Sequence, residues 1–148
     1  MVRELRAVIP YLSYSGNTKE VAELIAETLT ANNVSPIFHR IGIDLPIVPE
    51  ANDFIFLGTF TWETGSTPDE VKDFILEVGY KPNNVAVFGT GDTQFGGDDL
   101  FCSAVDKLCT FYQSPWVGLK VEQSPRGSQE KLVKKWTEGV LDHARVFT

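Results

Sequence analysis

The sequence is poor in the residues that staple or metallate a small fold. Cys102 and Cys109 are its cysteines, with no Cys-x-x-Cys pair, and His39 and His143 stand far apart. That scarcity excludes a disulfide scaffold and offers no metal-ligand spacing; it suits reduced thiols in a cytoplasm. Seven residues apart, the two cysteines fall on one helix face, where buried packing is their expected role. No apolar run approaches the ~18 residues of a membrane helix. The N-terminus mixes Arg3, Glu4 and Arg6 with a short apolar stretch broken by Pro10, which is not a signal-peptide pattern. Basic residues are also in deficit: 13 Lys and Arg against 20 Asp and Glu leave a net charge of −7. A chain so charged repels phosphate backbones, so neither a membrane nor nucleic acid is an expected partner.

What is present is an ordinary globular composition, 43% apolar and 22% charged, in 148 residues. One domain over residues 1–148 is expected. The charge is unevenly placed. From Trp62 to Phe101, Glu63, Asp69, Glu70, Asp73, Glu77, Asp92, Asp98 and Asp99 face only Lys72 and Lys81, so this window carries −6 of the total.

Apolar runs alternate with amphipathic stretches. The patterns predict strands over Leu5–Leu12, Val34–Arg40, Asp53–Thr59, Asn84–Gly89 and Trp116–Val121. They predict helices over Thr18–Thr30, Asp69–Val78, Asp98–Tyr112 and Ser128–Ala144, with an irregular link at Gly42–Glu50. Strict β-α alternation implies a parallel sheet covered by helices on both faces. Pro10 disagrees with a central strand, because it offers no ladder donor, so a bulge or an early end to pairing is expected there. In such sheets the ligand site lies beyond the carboxyl ends of the strands, at the switch point in strand order. The segments Ser13–Thr18, Phe60–Pro68 and Thr90–Leu100 follow strands directly and are the candidate loops.

The first loop, Ser13-Tyr14-Ser15-Gly16-Asn17-Thr18, joins a strand to a helix N-terminus, where free N–H groups and the helix dipole attract an anion. Its hydroxyls and Asn17 add donors, and Gly16 allows close approach. It is neither a Walker A loop nor a Cys- and Arg-bearing phosphatase loop. A purely structural alternative is a capping box of Asn17 with Glu20. The second loop places Trp62 among polar residues beyond the third strand, where its flat face suits stacking on a planar ligand. The third is glycine-rich, free to wrap a ligand edge, and carries Phe95. An uncharged phosphate cradle with aromatics on two further loops describes a site for flavin mononucleotide (FMN).

These loops resemble those of the flavodoxin family. Ser13, Ser15, Gly16 and Thr18 match the family's Ser/Thr-x-Ser/Thr-Gly-x-Thr phosphate signature. GTFTWETG (Gly58–Gly65) is similar to the loop that stacks a tryptophan on the flavin. FGTGDTQF (Phe88–Phe95) with FCSAVDKL (Phe101–Leu108) is similar to the loop and helix covering the other face. The long insertion of long-chain members is lacking. The resemblance implies an α/β fold, a three-layer flavodoxin-like sandwich with a five-stranded parallel sheet in the order 2-1-3-4-5. It also implies that Ser13, Tyr14, Ser15, Asn17 and Thr18 bind the FMN phosphate, with Gly16 in the turn and Thr61 close by. Trp62 then stacks on the inner flavin face, and Thr90, Gly91 and Asp92 lie by the pyrimidine edge.

Two departures from the family pattern matter. A tyrosine usually covers the outer face. Here Phe95 is the nearest match, and it either stacks or, with Gly96–Asp99 lengthening the loop, leaves that face open. The peptide that flips beside flavin N5 usually carries glycine. The equivalent bond is Glu63–Thr64, or Thr64–Gly65 if the register shifts by one, and a non-glycine at positive φ costs energy. The half-reduced flavin is therefore expected to be less stabilised than usual.

The expected function is that of an FMN-dependent electron carrier, not an enzyme. It serves an NAD(P)H-dependent flavodoxin reductase and redox acceptor proteins, and is expected to be a monomer. The acidic window can disfavour the anion of fully reduced flavin: a unit charge ~10 Å away at an effective dielectric of ~20 contributes about 1.7 kcal/mol before screening. The same acids can steer a basic partner, while Asp73 and Glu77 read as solubilising helix charges. A second reading is an activator of manganese class Ib ribonucleotide reductase, whose later half QFGGDDLFCSAVDKL and SPWVGLKVE resemble. A third is a flavin-free receiver-type or anion-binding module. A receiver needs an aspartate closing the third strand, where Thr59 and Phe60 stand.

Overall fold

The structure is a computed structural model that describes residues 5–13, 16–60, 67–91, 103–122 and 127–146, the last four of these as backbone only. Its strands are β1 (Leu5–Tyr11), β2 (Val34–Arg40), β3 (Phe54–Phe60), β4 (Val85–Gly91) and β5 (Leu119–Glu122). Its helices are α1 (Asn17–Ala31), α2 (Asp69–Val78), α3 (Ser103–Tyr112) and α4 (Ser128–Val146), with a 3₁₀ turn at Pro49–Ala51. The strands form one sheet in the order β2-β1-β3-β4-β5, and every pairing is parallel. This is the three-layer, flavodoxin-like arrangement that the alternation and the motifs predict.

Successive strand residues face opposite sides of the sheet, and the core divides accordingly. On one side Ile9, Phe56, Phe88 and Val121 pack against Val21, Ile25 and Leu29 of α1 and Val140 and Leu141 of α4. On the other, Val8, Ile55, Leu57 and Val87 pack against Val71 and Phe74 of α2 and Val105 and Leu108 of α3. β3 and β4 are buried along almost their whole length, which is why they read as continuous apolar runs rather than alternating ones. β2 is an edge strand in which only Val34 and His39 are buried, so Pro36 is tolerated there.

One close approach sets the sheet's centre. A Cβ on Gly58 of β3 would fall 2.2 Å from Cζ of Phe88 on β4. Only glycine lets the fully buried Phe88 ring lie there.

Pro10 neither bulges nor ends the strand. The β1–β3 register is the same at Val8↔Ile55 and at Tyr11↔Gly58, and the pairing only lapses between them. Asp53 N–H donates to Arg6 O at 2.8 Å and Leu12 N–H to Gly58 O at 3.1 Å, so the even positions of β1 face β3. The donor Pro10 lacks is one rung toward β3, while its pairing with His39 on the β2 side is kept.

The last strand starts later than its apolar pattern suggests, at Leu119 rather than Trp116. Ser114 ties down the preceding turn: its hydroxyl donates to Val85 O at 2.7 Å and accepts the Trp116 N–H at 3.3 Å. Trp116 packs on the α1–α4 side of the core from outside the strand. Residues 98–102 of the third predicted helix, with Cys102, lie outside the described residues. Cys109 is partly buried against the α2–α3 side, where burial raises its thiol pKa. Among the described residues no helix is long and apolar enough to cross a membrane.

Candidate functional site

The chain enters β2 on one side of β1 and β3 on the other, so strand order reverses between β1 and β3. Their carboxyl ends form the crevice where ligands of such sheets bind. The ends of β1, β3 and β4 are held level: Tyr11 pairs with Gly58, Thr59 with Gly89, and Phe60 with Thr90. The predicted loops therefore leave from adjacent points on one sheet edge.

The first loop is organised by Ser13. Its Oγ accepts hydrogen bonds from Gly16 N–H at 3.1 Å and Lys19 N–H at 3.3 Å. A hydroxyl whose lone pairs serve two amides has its own proton left to donate to an acceptor outside the helix. Gly16 has φ 95°, a left-handed conformation costly for other residues. A Cβ there would meet nothing within 4 Å, so backbone conformation rather than space calls for glycine. Glu20 N–H donates to Gly16 O at 3.0 Å and closes the first turn of α1.

This geometry corrects the capping-box alternative. Asn17 is the first helical residue, Gly16 is the N-cap, and no side chain of the cap residue closes it. Ser13 does so from three residues upstream, and with it Lys19, which the sequence left outside the loop. The signal that could have found this is a serine placed just before a glycine that must take positive φ.

Thr18 is fully buried, and its Oγ1 lies 2.8 Å from Oγ1 of Thr90, also buried. The signature's last threonine thus joins the first turn of α1 to the end of β4. Thr59, near the end of β3, is also buried and donates to Phe60 O at 2.9 Å. Ser13, Asn17 and Gly91 are half-buried at this edge. Tyr14, Ser15, Thr61, Trp62, Glu63, Thr64, Gly65, Asp92 and Phe95 lie outside the described residues. The structure therefore brings together Ser13, Gly16, Asn17, Thr18, Thr90 and Gly91.

Chemically, the described part presents donors that suit an anion: the positive end of a 15-residue helix and a hydroxyl with a proton to give, with the Glu20 carboxylate also in the helix's first turn. Lys19 is exposed beside it. A phosphate monoester suits these donors.

A family model described as Flavodoxin matches residues 9–124. "Probable flavodoxin 2" of Bacillus subtilis (strain 168) is 31% identical over 135 residues, covering 85% of this chain and 87% of that protein. The crystal structure of oxidised Flavodoxin 2 from Bacillus cereus shares 30% identity with a TM-score of 0.77, covering 93% of this chain and 99% of that one. That of oxidised Flavodoxin 1 from the same organism shares 27% identity with a TM-score of 0.82, covering 93% and 98%.

Proposed function

The chain belongs to the flavodoxin family, whose members are FMN-binding electron carriers rather than enzymes, and on that premise we propose that it shuttles single electrons from an NAD(P)H-dependent reductase to acceptor proteins. The observation that carries this reading is the Ser13-capped N-terminus of α1 at the β1–β3 switch point. It is a seat for the phosphate of FMN built without a basic side chain between Ser13 and Thr18.

FMN when bound supplies one-electron redox chemistry at its isoalloxazine ring. The chain's own residues bind and orient it. Ser13 donates its hydroxyl proton to the phosphate, and Tyr14, Ser15 and Asn17 add donors around Gly16, with Thr61 beside them. Thr18 holds the turn in place through Thr90. Trp62 is assigned to the inner ring face, Phe95 to the outer, and Gly91 and Asp92 to the pyrimidine edge. Glu63, Thr64 and Gly65 form the segment beside N5. The acids between Trp62 and Phe101 disfavour negative charge on the ring and offer a docking surface to a basic partner.

One domain over residues 1–148, working in the cytoplasm, carries this function. A chain with two cysteines and no disulfide framework supports that compartment.

The test is direct. Purified protein is expected to be yellow and to release FMN on denaturation. With a flavodoxin reductase and NADPH it is expected to pass electrons to a cytochrome. A colourless protein that fails to take up added FMN overturns the reading. Activation of a manganese-loaded ribonucleotide reductase subunit, in place of electron delivery, reassigns the function to oxidant supply.

A further inference from the structure

We propose that Thr90 is a positioning residue for the phosphate of FMN, acting through Thr18, and that it sets the protein's preference for the phosphorylated flavin over riboflavin. This rests on the proposed FMN seat. It assigns Thr90 to the phosphate end of the site rather than to the pyrimidine edge that the family resemblance gives it. Thr90 is 3% exposed and Thr18 1%, and their hydroxyl oxygens lie 2.8 Å apart. A side chain so enclosed, with its hydroxyl engaged by α1, presents nothing to the edge of a ring.

What the contact positions is the backbone at Thr18. The first N–H groups of a helix have no partner within it. At this entrance Ser13 Oγ accepts from Gly16 and Lys19, and Gly16 O accepts from Glu20. The Thr18 N–H has no acceptor among the described residues, so it is left for an anion at the positive end of the helix. Its place depends on where the Thr18 side chain is held.

Thr90 is a fixed anchor. Its backbone pairs with Phe60 of β3 on one side and with Val121 of β5 on the other. The neighbouring Gly89 faces α3, where a Cβ would fall 2.5 Å from Cγ2 of Val105. β4 is thus held in the sheet and against α3. Further along, α1 meets the sheet through Val21, Ile25 and Leu29, and apolar contacts of that kind are non-directional. The bond from Thr18 to Thr90 is directional, and it fixes the entrance turn of α1 over the sheet. A phosphate needs that precision, because donors to a charged group weaken steeply as their alignment is lost. The ring does not draw on it. Removing the Thr90 hydroxyl leaves the β4 ladder, which is backbone, and therefore leaves the start of the third loop where it is.

Fluorescence titration of the FMN-free full chain with FMN and with riboflavin tests this. Thr90→Val should weaken FMN binding roughly tenfold, the effect of one misaligned bond to a charged group, and leave riboflavin binding within about twofold. Thr90→Ser keeps the hydroxyl and should retain the wild-type preference. Thr18→Val should narrow the preference as Thr90→Val does, and the double variant should narrow it no further. Thr90→Ala takes the place of a valine variant that fails to fold. The wild-type protein gives a reading that needs no variant: the Thr18 amide proton should shift downfield in the FMN complex and much less in the riboflavin complex. The proposal is overturned by equal losses for the two flavins, by FMN binding indifferent to Thr90→Val, or by a Thr18 amide that responds alike to both. Wild-type protein that takes up neither flavin, or both with equal affinity, overturns the FMN seat itself and the proposal with it.

Discussion

The hydroxyl oxygens of Thr18, in the first turn of α1, and Thr90, near the end of β4, lie 2.8 Å apart in the protein interior. This bond links the helix proposed to seat the FMN phosphate to the strand that launches the third loop. Because both groups are buried, neither has bulk water as a substitute partner. Thr18→Val or Thr90→Val alone strands a buried hydroxyl and should cost about 1–3 kcal/mol. The double variant should be no less stable than the worse single one. A double-mutant cycle by urea denaturation reads the coupling directly, and strictly additive losses would show that the two hydroxyls act independently.

Ser13 holds two amides of the α1 entrance. Ser13→Ala should lower the stability of the FMN-free protein by about 1 kcal/mol, as loss of a cap does. It should also weaken FMN binding roughly tenfold or more, because a donor to a charged group is removed. Ser13→Thr should keep most of both. Fluorescence titration with FMN and denaturation of the FMN-free protein separate the two effects.

Gly58 and Phe88 occupy each other's space. Gly58→Ala should destabilise by about 1–3 kcal/mol or prevent folding, since the intruding Cβ meets a buried ring that cannot swing away. Shortening the ring residue in the double variant Gly58→Ala/Phe88→Leu should recover part of the loss. Thermal midpoints of the soluble variants give the comparison.

Burial lowers the pKa of His39 below its ordinary 6.5, against the opposing pull of Asp44 and Glu77. The native state thus keeps the imidazole neutral at pH values where the unfolded chain already binds a proton. This contribution to stability is fully present above pH 6.5 and is lost as pH falls below it, with a slope no steeper than about 1.4 kcal/mol per pH unit. The bond to Arg40 holds the Asp44 carboxyl down at about 2, so its charge stays constant through that window. His39→Leu should flatten the pH dependence of urea midpoints between neutrality and mild acid. An unchanged slope would place the acid sensitivity elsewhere.

The acids of the Trp62–Phe101 window divide by position. Asp73 and Glu77 are exposed on α2, and Asp73→Asn should leave the flavin potentials where they are. Glu63→Gln and Asp92→Asn, in the loops assigned to the ring, should each raise the last reduction potential by up to roughly 70 mV, the unscreened effect of one charge. Spectroelectrochemical titration distinguishes them. Equal, null effects would reduce the acidity to solubility and docking.

Much of the fold was legible in the sequence because its signals are local. The bounds of β2 and α2 follow from residue pattern alone, and β3 and β4 betray burial on both faces by their unbroken apolar runs. Where pattern misled, a long-range contact was responsible. Trp116 is as apolar as a strand residue, but Ser114 anchors its turn to Val85. Pro10 looked like a break, yet the rung it lacks faces only one neighbour. In the site, the glycine and serine of the first loop were readable, while the true cap was assigned to Asn17 because a capping box is a spacing rule that ignores the backbone angle at Gly16.

By itself the sequence determined the alternation of strands and helices, the side chains that face the sheet, and a first loop suited to a phosphate. Periods of two and of 3.6 residues, and the chemistry of a turn, are written within a few neighbouring positions. Only the tertiary structure decided that Thr18 meets Thr90 across 72 residues, that Gly58 makes room for Phe88, and that Ile37, Leu45 and Val48 line one exposed groove. Each depends on how separate elements pack, and no local pattern carries that distance.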